Sequence, residues 1–142
     1  MKKLFIICAL TALTGCSKEK TTGLTNIPQR NFFKTDAEAF RQVQQQISKF
    51  APGEKLQSIQ SISYINSRNK SFAFIFYRSN KGASNVVIRK EYVNDQEIEM
   101  TSVKCDGEYC DCKVKTIIDN AGNITLDCSC SSCTMLINKL SD

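Results

Sequence analysis

The chain has no histidine and no tryptophan. Without histidine it lacks the commonest general base, the usual zinc-hydrolase ligand and every Ser-His or Cys-His nucleophile pair. Nor does it carry paired carboxylates, a phosphate-cradling loop or a nucleophile motif, so no catalytic residue is assigned and no enzyme is expected. Past residue 16 no apolar run approaches the roughly twenty residues of a membrane-spanning helix. Basic runs interleaved with aromatics are missing, and a net charge of +5 is too mild to point to nucleic acid. Internal repeats are absent as well. What is present suits one compact domain: 142 residues, with Leu, Ile, Val and Phe making roughly a quarter of them, above the level expected of disorder. Eight cysteines are many for this length, and their placement carries most of the information.

The first sixteen residues read as an address. Lys2 and Lys3 make a basic start, and residues 4–13 form an apolar run too short to span a bilayer. The run closes in Leu13-Thr14-Gly15-Cys16, where small residues admit a peptidase and the thiol can carry a diacylglycerol. This order of charge, apolar run, small residues and Cys resembles the lipobox of bacterial lipoproteins. The resemblance implies that residues 1–15 are a signal peptide that is removed and that Cys16 is the lipidation site. It also implies a protein attached to a membrane of the bacterial cell envelope through its lipid anchor. Ser17, in place of Asp, after the lipidated Cys favours the outer membrane, and Ser17-Lys18-Glu19 resembles the charged signal of envelope lipoproteins of the Bacteroidota. Residues 16–34 then form the lipidated Cys and a polar, aperiodic tether, with Phe32 and Phe33 placed to begin docking. A flexible coil of that length spans roughly 25 Å, enough to stand a domain off a membrane.

Residues 35–142 are expected to form one α+β domain. Thr35 followed by Glu38 is a capping box. Phe40, Val43, Ile47 and Phe50 recur at helical spacing as one apolar face, with Gln42, Gln44, Gln45, Gln46 and Lys49 decorating the rest, and Pro52-Gly53 stops the helix. Ile59, Ile62 and Ile65 fit either period, and a strand is preferred. Residues 71–77 read as a central strand and residues 86–93 as its neighbour, joined by a type I turn at Ser79-Asn80-Lys81-Gly82. That turn places Phe76 opposite Val86 and Phe74 opposite Ile88. Asn94-Asp95 turns the chain into residues 97–103, and the chain finishes in a Cys-rich hairpin and a tail. One N-terminal helix packed on an antiparallel meander resembles, in topology, the cystatin-like fold. The Gln-x-Val-x-Gly loop of that inhibitor family is absent, so protease inhibition is not implied.

With Cys8 in the discarded segment and Cys16 used by the lipid, six cysteines remain: Cys105, Cys110, Cys112, Cys128, Cys130 and Cys133. The turn Asp119-Asn120-Ala121-Gly122-Asn123 lies between the two triplets. If Asp119 faces Asn123, then Ile118 faces Ile124, Thr116 faces Leu126, Val114 faces Cys128 and Cys112 faces Cys130. One face of this hairpin, within residues 105–133, collects Ile, Leu, Val and Cys, while the other pairs Lys115 with Asp127.

Disulfides are the first reading, because an exported domain meets oxidising conditions. Residues two apart on one strand have parallel Cβ vectors, which disfavours Cys110–Cys112 and Cys128–Cys130. Geometry prefers Cys112–Cys130, then Cys110–Cys133, leaving Cys105–Cys128. The alternative is a thiolate metal site without other cofactor, where sulfur ligands suit Zn(II) or Cu(I). A reactive-thiol role ranks third: Lys104 and Lys113 are near, but Asp106, Glu108, Asp111 and Asp127 oppose thiolate formation. Those acids do not have the spacing of a calcium loop. The function expected is therefore binding or structural support at the envelope, with an envelope protein as the possible partner.

Overall fold

The computed structural model describes residues 32–67 and 69–140. The signal segment, Cys16 and the tether up to residue 31 lie outside the described residues. Chain order is a helix, α1 (Asp36–Phe50), then seven strands: β1 (Leu56–Asn66), β2 (Lys70–Ser79), β3 (Gly82–Val93), β4 (Gln96–Asp106), β5 (Val114–Ile118), β6 (Ile124–Cys128) and β7 (Thr134–Leu140).

The helix begins as its capping signal directs. Thr35 Oγ1 accepts from the Glu38 N–H at 3.1 Å, and the Glu38 carboxylate accepts from the Lys34 N–H at 2.7 Å. At the other end the Ala51 N–H returns to the Ile47 carbonyl, and Gly53 takes a φ of 85°. The buried stripe is Ala39, Val43, Gln46 and Ile47, so Val43 and Ile47 lie inward as expected while Phe50 is only partly buried and Phe40 is not. Phe40 is 39% exposed, because it projects one position round the helix, past edge strand β1. There it lines a cleft of about 350 Å³ with Ile59 and Ile62. Two of the glutamines assigned to solvent are structural. Gln46 is buried and accepts from Ser102 Oγ at 2.9 Å. Gln44 accepts from the Leu56 N–H and donates to the Glu54 carbonyl, folding the loop after the helix back onto it.

The expected α+β class is overturned: the described residues are mostly antiparallel β, 56% strand, with one short helix and seven strands in two sheets among them. Residues 134–140, read as a tail, form a strand. β7 pairs with β4 from Asp106↔Thr134 to Met100↔Leu140 and completes a five-stranded antiparallel sheet of order β1-β2-β3-β4-β7. The Cys-rich hairpin does not end a meander. It is an excursion between β4 and β7 that forms its own two-stranded sheet, β5-β6. The large sheet is thus covered on both faces. Ala73, Ile75, Tyr77, Val86 and Ile88 meet Val43 and Ile47 of the helix. Phe72, Phe74, Val87 and Val103 meet Val114 and Cys128 of the hairpin. A strand buried on both faces reads as a continuous apolar run, which accounts for residues 71–77.

The β2–β3 register also differs by one residue from the expected one. Asn80 and Lys81 form a two-residue connection between Ser79 and Gly82, so Ile75 faces Val86 and Ala73 faces Ile88. Such a slip exchanges the two faces of the strand. It sends Phe74 to the hairpin side and leaves Phe76 exposed. The three-residue spacing of Leu56, Ile59 and Ile62 has a local cause. β1 carries irregularities between Leu56 and Ser58 and between Ile59 and Ser61. Each extra residue resets the alternation, so all three apolar side chains face the helix within a strand. Asn94 and Asp95, with φ of 49° and 63°, make the tight turn expected between β3 and β4. At the start of the described chain, Phe32 is buried, stacked at 5.8 Å on Tyr64 and covered by the Lys90 ammonium 5.2 Å from its ring centre.

Candidate functional site

The six cysteines gather on the hairpin side of the sheet: Cys105 at the end of β4, Cys128 at the end of β6, and the other four in the two loops that flank β5-β6. The hairpin itself follows the expected register from Val114↔Cys128 to Ile118↔Ile124, with Lys115 opposite Asp127 and their charged groups 3.3 Å apart. Its turn is held by Asp119. One carboxylate oxygen accepts from the backbone N–H groups of Ala121 and Asn123, and the other accepts from the Asn123 amide at 2.8 Å. Those bonds, the Asn123 amide first, hold the Asp119 carboxyl below its ordinary range. Gly122, at φ 80°, supplies the left-handed residue that the loop needs.

All six cysteines are bridged. Cys105–Cys128 is the pair expected, with 5.8 Å between Cα atoms. The other two pairs exchange partners relative to expectation: the bridges are Cys110–Cys130 and Cys112–Cys133, with Cα separations of 6.8 and 5.8 Å. The reason is that the ladder stops one step beyond Val114 and Cys128. Ser129 N–H still donates to the Lys113 carbonyl, but the Lys113 N–H turns to Ser129 Oγ. Ser129 Oγ in turn donates to the Asp111 carbonyl, and the Cys133 N–H folds back to the Cys130 carbonyl. Cys112 therefore has no strand partner at Cys130. The two bridges nevertheless touch through Cys110: its Sγ lies 3.1 Å from Cys133 Sγ and 3.6 Å from Cys112 Sγ. Gly107 makes room for them. A Cβ there would stand 2.8 Å from Cys112 Sγ and 3.2 Å from the Ser132 carbonyl oxygen.

The charged residues near the cluster divide differently from expectation. Lys113 is paired with Asp111 at 2.5 Å on the surface. Lys104 does not face the thiols at all. It points to the helix side of β4, where its ammonium meets the Glu54 carboxylate at 2.8 Å. Glu54 is 2% exposed and also accepts from Ser79 Oγ at 2.8 Å and Tyr77 Oη at 3.2 Å. Burial pushes the Glu54 carboxyl up, but the Lys104 and Ser79 hydrogen bonds outweigh it, and its pKa lies below the ordinary value. Burial likewise opposes the Lys104 charge, and the Glu54 hydrogen bond wins, raising the Lys104 pKa. Tyr77 is raised, chiefly by desolvation. Sequence reasoning missed this buried network. The signal was an alternation: Ser102 and Lys104 share one face of β4, with Val103 and Cys105 on the other.

A cleft of about 270 Å³ is lined by residues of both features, Glu54, Ser79 and Lys104 together with Gly107, Cys110 and Cys112. In the oxidised state the cysteines offer no thiolate for nucleophilic or metal chemistry. Among the described residues, the one group of three or more potential metal ligands within mutual reach is Cys110, Cys112 and Cys133. No helix among the described residues is long and apolar enough to cross a membrane. Comparison of the chain with family models, curated proteins and solved structures finds no match.

Proposed function

We propose that the chain is a lipid-anchored protein of the bacterial cell envelope, held at the outer membrane through Cys16, whose disulfide-braced β domain serves a binding or structural role toward an envelope partner. The observation that carries this reading is the set of three bridges, Cys105–Cys128, Cys110–Cys130 and Cys112–Cys133. Structural disulfides persist in oxidising compartments outside the cytoplasm, and the lipobox ending in Cys16 supplies the route there. The two observations are independent, since one concerns the far end of the chain from the other. Each bridge closes a span of 20 to 23 residues. Chain-entropy arguments assign a loop of that size about 3 kcal/mol. A hairpin of two five-residue strands has little stability of its own, so the bridges fit a domain that must endure without cellular upkeep.

The test is metabolic labelling with a fatty-acid analogue in a bacterial host. The wild-type chain should take up label and fractionate with the membrane. Cys16→Ser should accumulate as unlabelled precursor with its first fifteen residues intact. A mutant that is still cut and still membrane-held overturns the anchor, and a wild-type chain with free thiols after export overturns the oxidised domain.

A further inference from the structure

We propose that Cys110, Cys112, Cys130 and Cys133 are a redox-gated zinc site: two disulfides when oxidised, and four thiolate ligands for one Zn²⁺ once a dithiol has reduced them. The geometry that points here is convergence. The sulfurs of Cys110, Cys112 and Cys133 lie within 4.8 Å of one another, and the fourth, that of Cys130, is bonded to Cys110. A tetrahedral Zn(Cys)₄ centre with Zn–S bonds of about 2.3 Å needs its sulfurs about 3.8 Å apart. The Cys110–Cys133 and Cys110–Cys112 contacts, 3.1 and 3.6 Å, are already close to that spacing. Cys110 Sγ thus touches both sulfurs of the other bridge, Cys112–Cys133, while bonded to Cys130. Three sulfurs from two different bridges converge, with the fourth one bond away, and that convergence across the bridges is the property the loops build.

The surroundings allow the change. All four residues sit outside the strand ladders, in the loops before β5 and after β6, so the sulfurs can part without breaking a sheet. The Cys105–Cys128 bridge ties the ends of β4 and β6 together beneath them and is buried at both residues. The cleft beside Cys110 and Cys112 gives a reductant access. No histidine competes as ligand, because the chain has none, and the neighbouring Asp111 is engaged by Lys113. Each bridge takes two electrons and two protons from a dithiol, which leaves as its own disulfide. Zn²⁺ then displaces the four thiol protons and leaves a centre of charge 2−, with Lys81 on the wall of the same cleft. Thiolate ligands bind zinc with proton release. The proposal needs no lipid anchor and stands or falls apart from it.

Native mass spectrometry with alkylation mapping tests it on the purified full chain. The oxidised protein should hold no zinc and alkylate nowhere in residues 105–133. After reduction, removal of the reductant and addition of Zn²⁺, about one zinc per chain is expected. Cys110, Cys112, Cys130 and Cys133 should then be protected from alkylation until a chelator is added. Cys112→Ser with Cys133→Ser should abolish zinc uptake, whereas Cys105→Ala with Cys128→Ala should keep it. The protection map of the wild-type chain decides even if a variant fails to fold. Reduced wild type that takes up no zinc, or takes it up while these four cysteines still alkylate, overturns the site.

Discussion

Asn85 holds Val114 by both of that residue's backbone polar groups: its amide donates to the Val114 carbonyl and accepts from the Val114 N–H, each at 2.9 Å. Asn85 lies in the first half of β3, fully buried beside Val86, Val87 and Ile88. A polar residue in such a run satisfies its amide by acting as one rung of a ladder. Through that rung the small β5-β6 sheet, which shares no strand pairing with the large one, is fixed to its face.

Replacing Asn85 with Leu keeps the volume roughly and removes the rung. Val114 N–H and C=O are then left buried and unpaired, at about 1–3 kcal/mol each. Urea unfolding should show that loss, with the three disulfides still formed by peptide mapping. Stability equal to wild type would mean that the hairpin is held by its bridges alone.

Gly107 tests the packing of the cysteine loops. Its backbone needs no positive φ, so the demand for glycine is one of space. A methyl group there meets Cys112 Sγ and the Ser132 carbonyl oxygen, a crosslinked sulfur and a backbone atom that yield little. Gly107→Ala should lower the midpoint of thermal unfolding by an amount corresponding to about 1–3 kcal/mol of overpacking. Gly82→Ala should not act by crowding, since nothing lies within 4 Å of its would-be Cβ.

The parts of the fold legible in the sequence are those written locally. Thr35 and Glu38 mark the helix start, and the Asp119–Asn123 turn sets the β5-β6 register, because a turn and a two-residue alternation agree over a few positions. The Cys105–Cys128 bridge follows from that register. What was not legible depends on distant partners. β7 alternates weakly and becomes a strand by finding the free edge of β4. The bulges of β1 disguise a strand as a helical period. Glu54 looks like a solvated loop acid until Lys104, fifty residues later, supplies its charge partner. Ser129, which diverts the Lys113 N–H, shifted two of the three disulfides away from the pairing a continuous ladder would give.

The Glu54–Lys104 pair should bound the stability of the domain at both ends of the pH scale. Glu54 titrates below 4.5 in the folded state, so its contribution is full above that value and is lost as pH falls through the folded pKa. Lys104 and Tyr77 titrate above 10.5 and 10.0, so theirs is full below about 10 and is lost as pH rises through the folded values. Glu54→Gln alone leaves a buried ammonium without its counter-charge, and breaking such a pair costs about 3–5 kcal/mol. Glu54→Gln combined with Lys104→Met should cost less than that and weaken both limbs. Some acid sensitivity should persist in the double variant, because Asp119 and Asp127 are also held below their ordinary values by hydrogen bonds. Unfolding midpoints measured from pH 3 to pH 11 check this, and a double variant with unchanged limbs would place the sensitivity elsewhere.

The helix face offers the sharpest contrast between pattern and packing. By periodicity alone Phe40 and Ile47 belong to the same apolar stripe. In the structure Ile47 is 0% exposed among Val43, Ala73 and Ile75, whereas Phe40 is more than a third exposed at the edge of the sheet. Ile47→Ala empties a filled site, and substitutions of that kind cost about 2–5 kcal/mol because the surroundings collapse only in part. Phe40→Ala removes a larger side chain yet leaves no closed cavity, since its cleft already opens to solvent beside Ile59 and Ile62. Its cost should fall below that of Ile47→Ala, and Gln45→Ala, on the exposed face, should stay within about 0.5 kcal/mol of wild type. Denaturant unfolding of the three variants ranks them. A Phe40→Ala loss as large as that of Ile47→Ala would mean that the aromatic ring closes over the helix–β1 cleft in solution and belongs to the core after all.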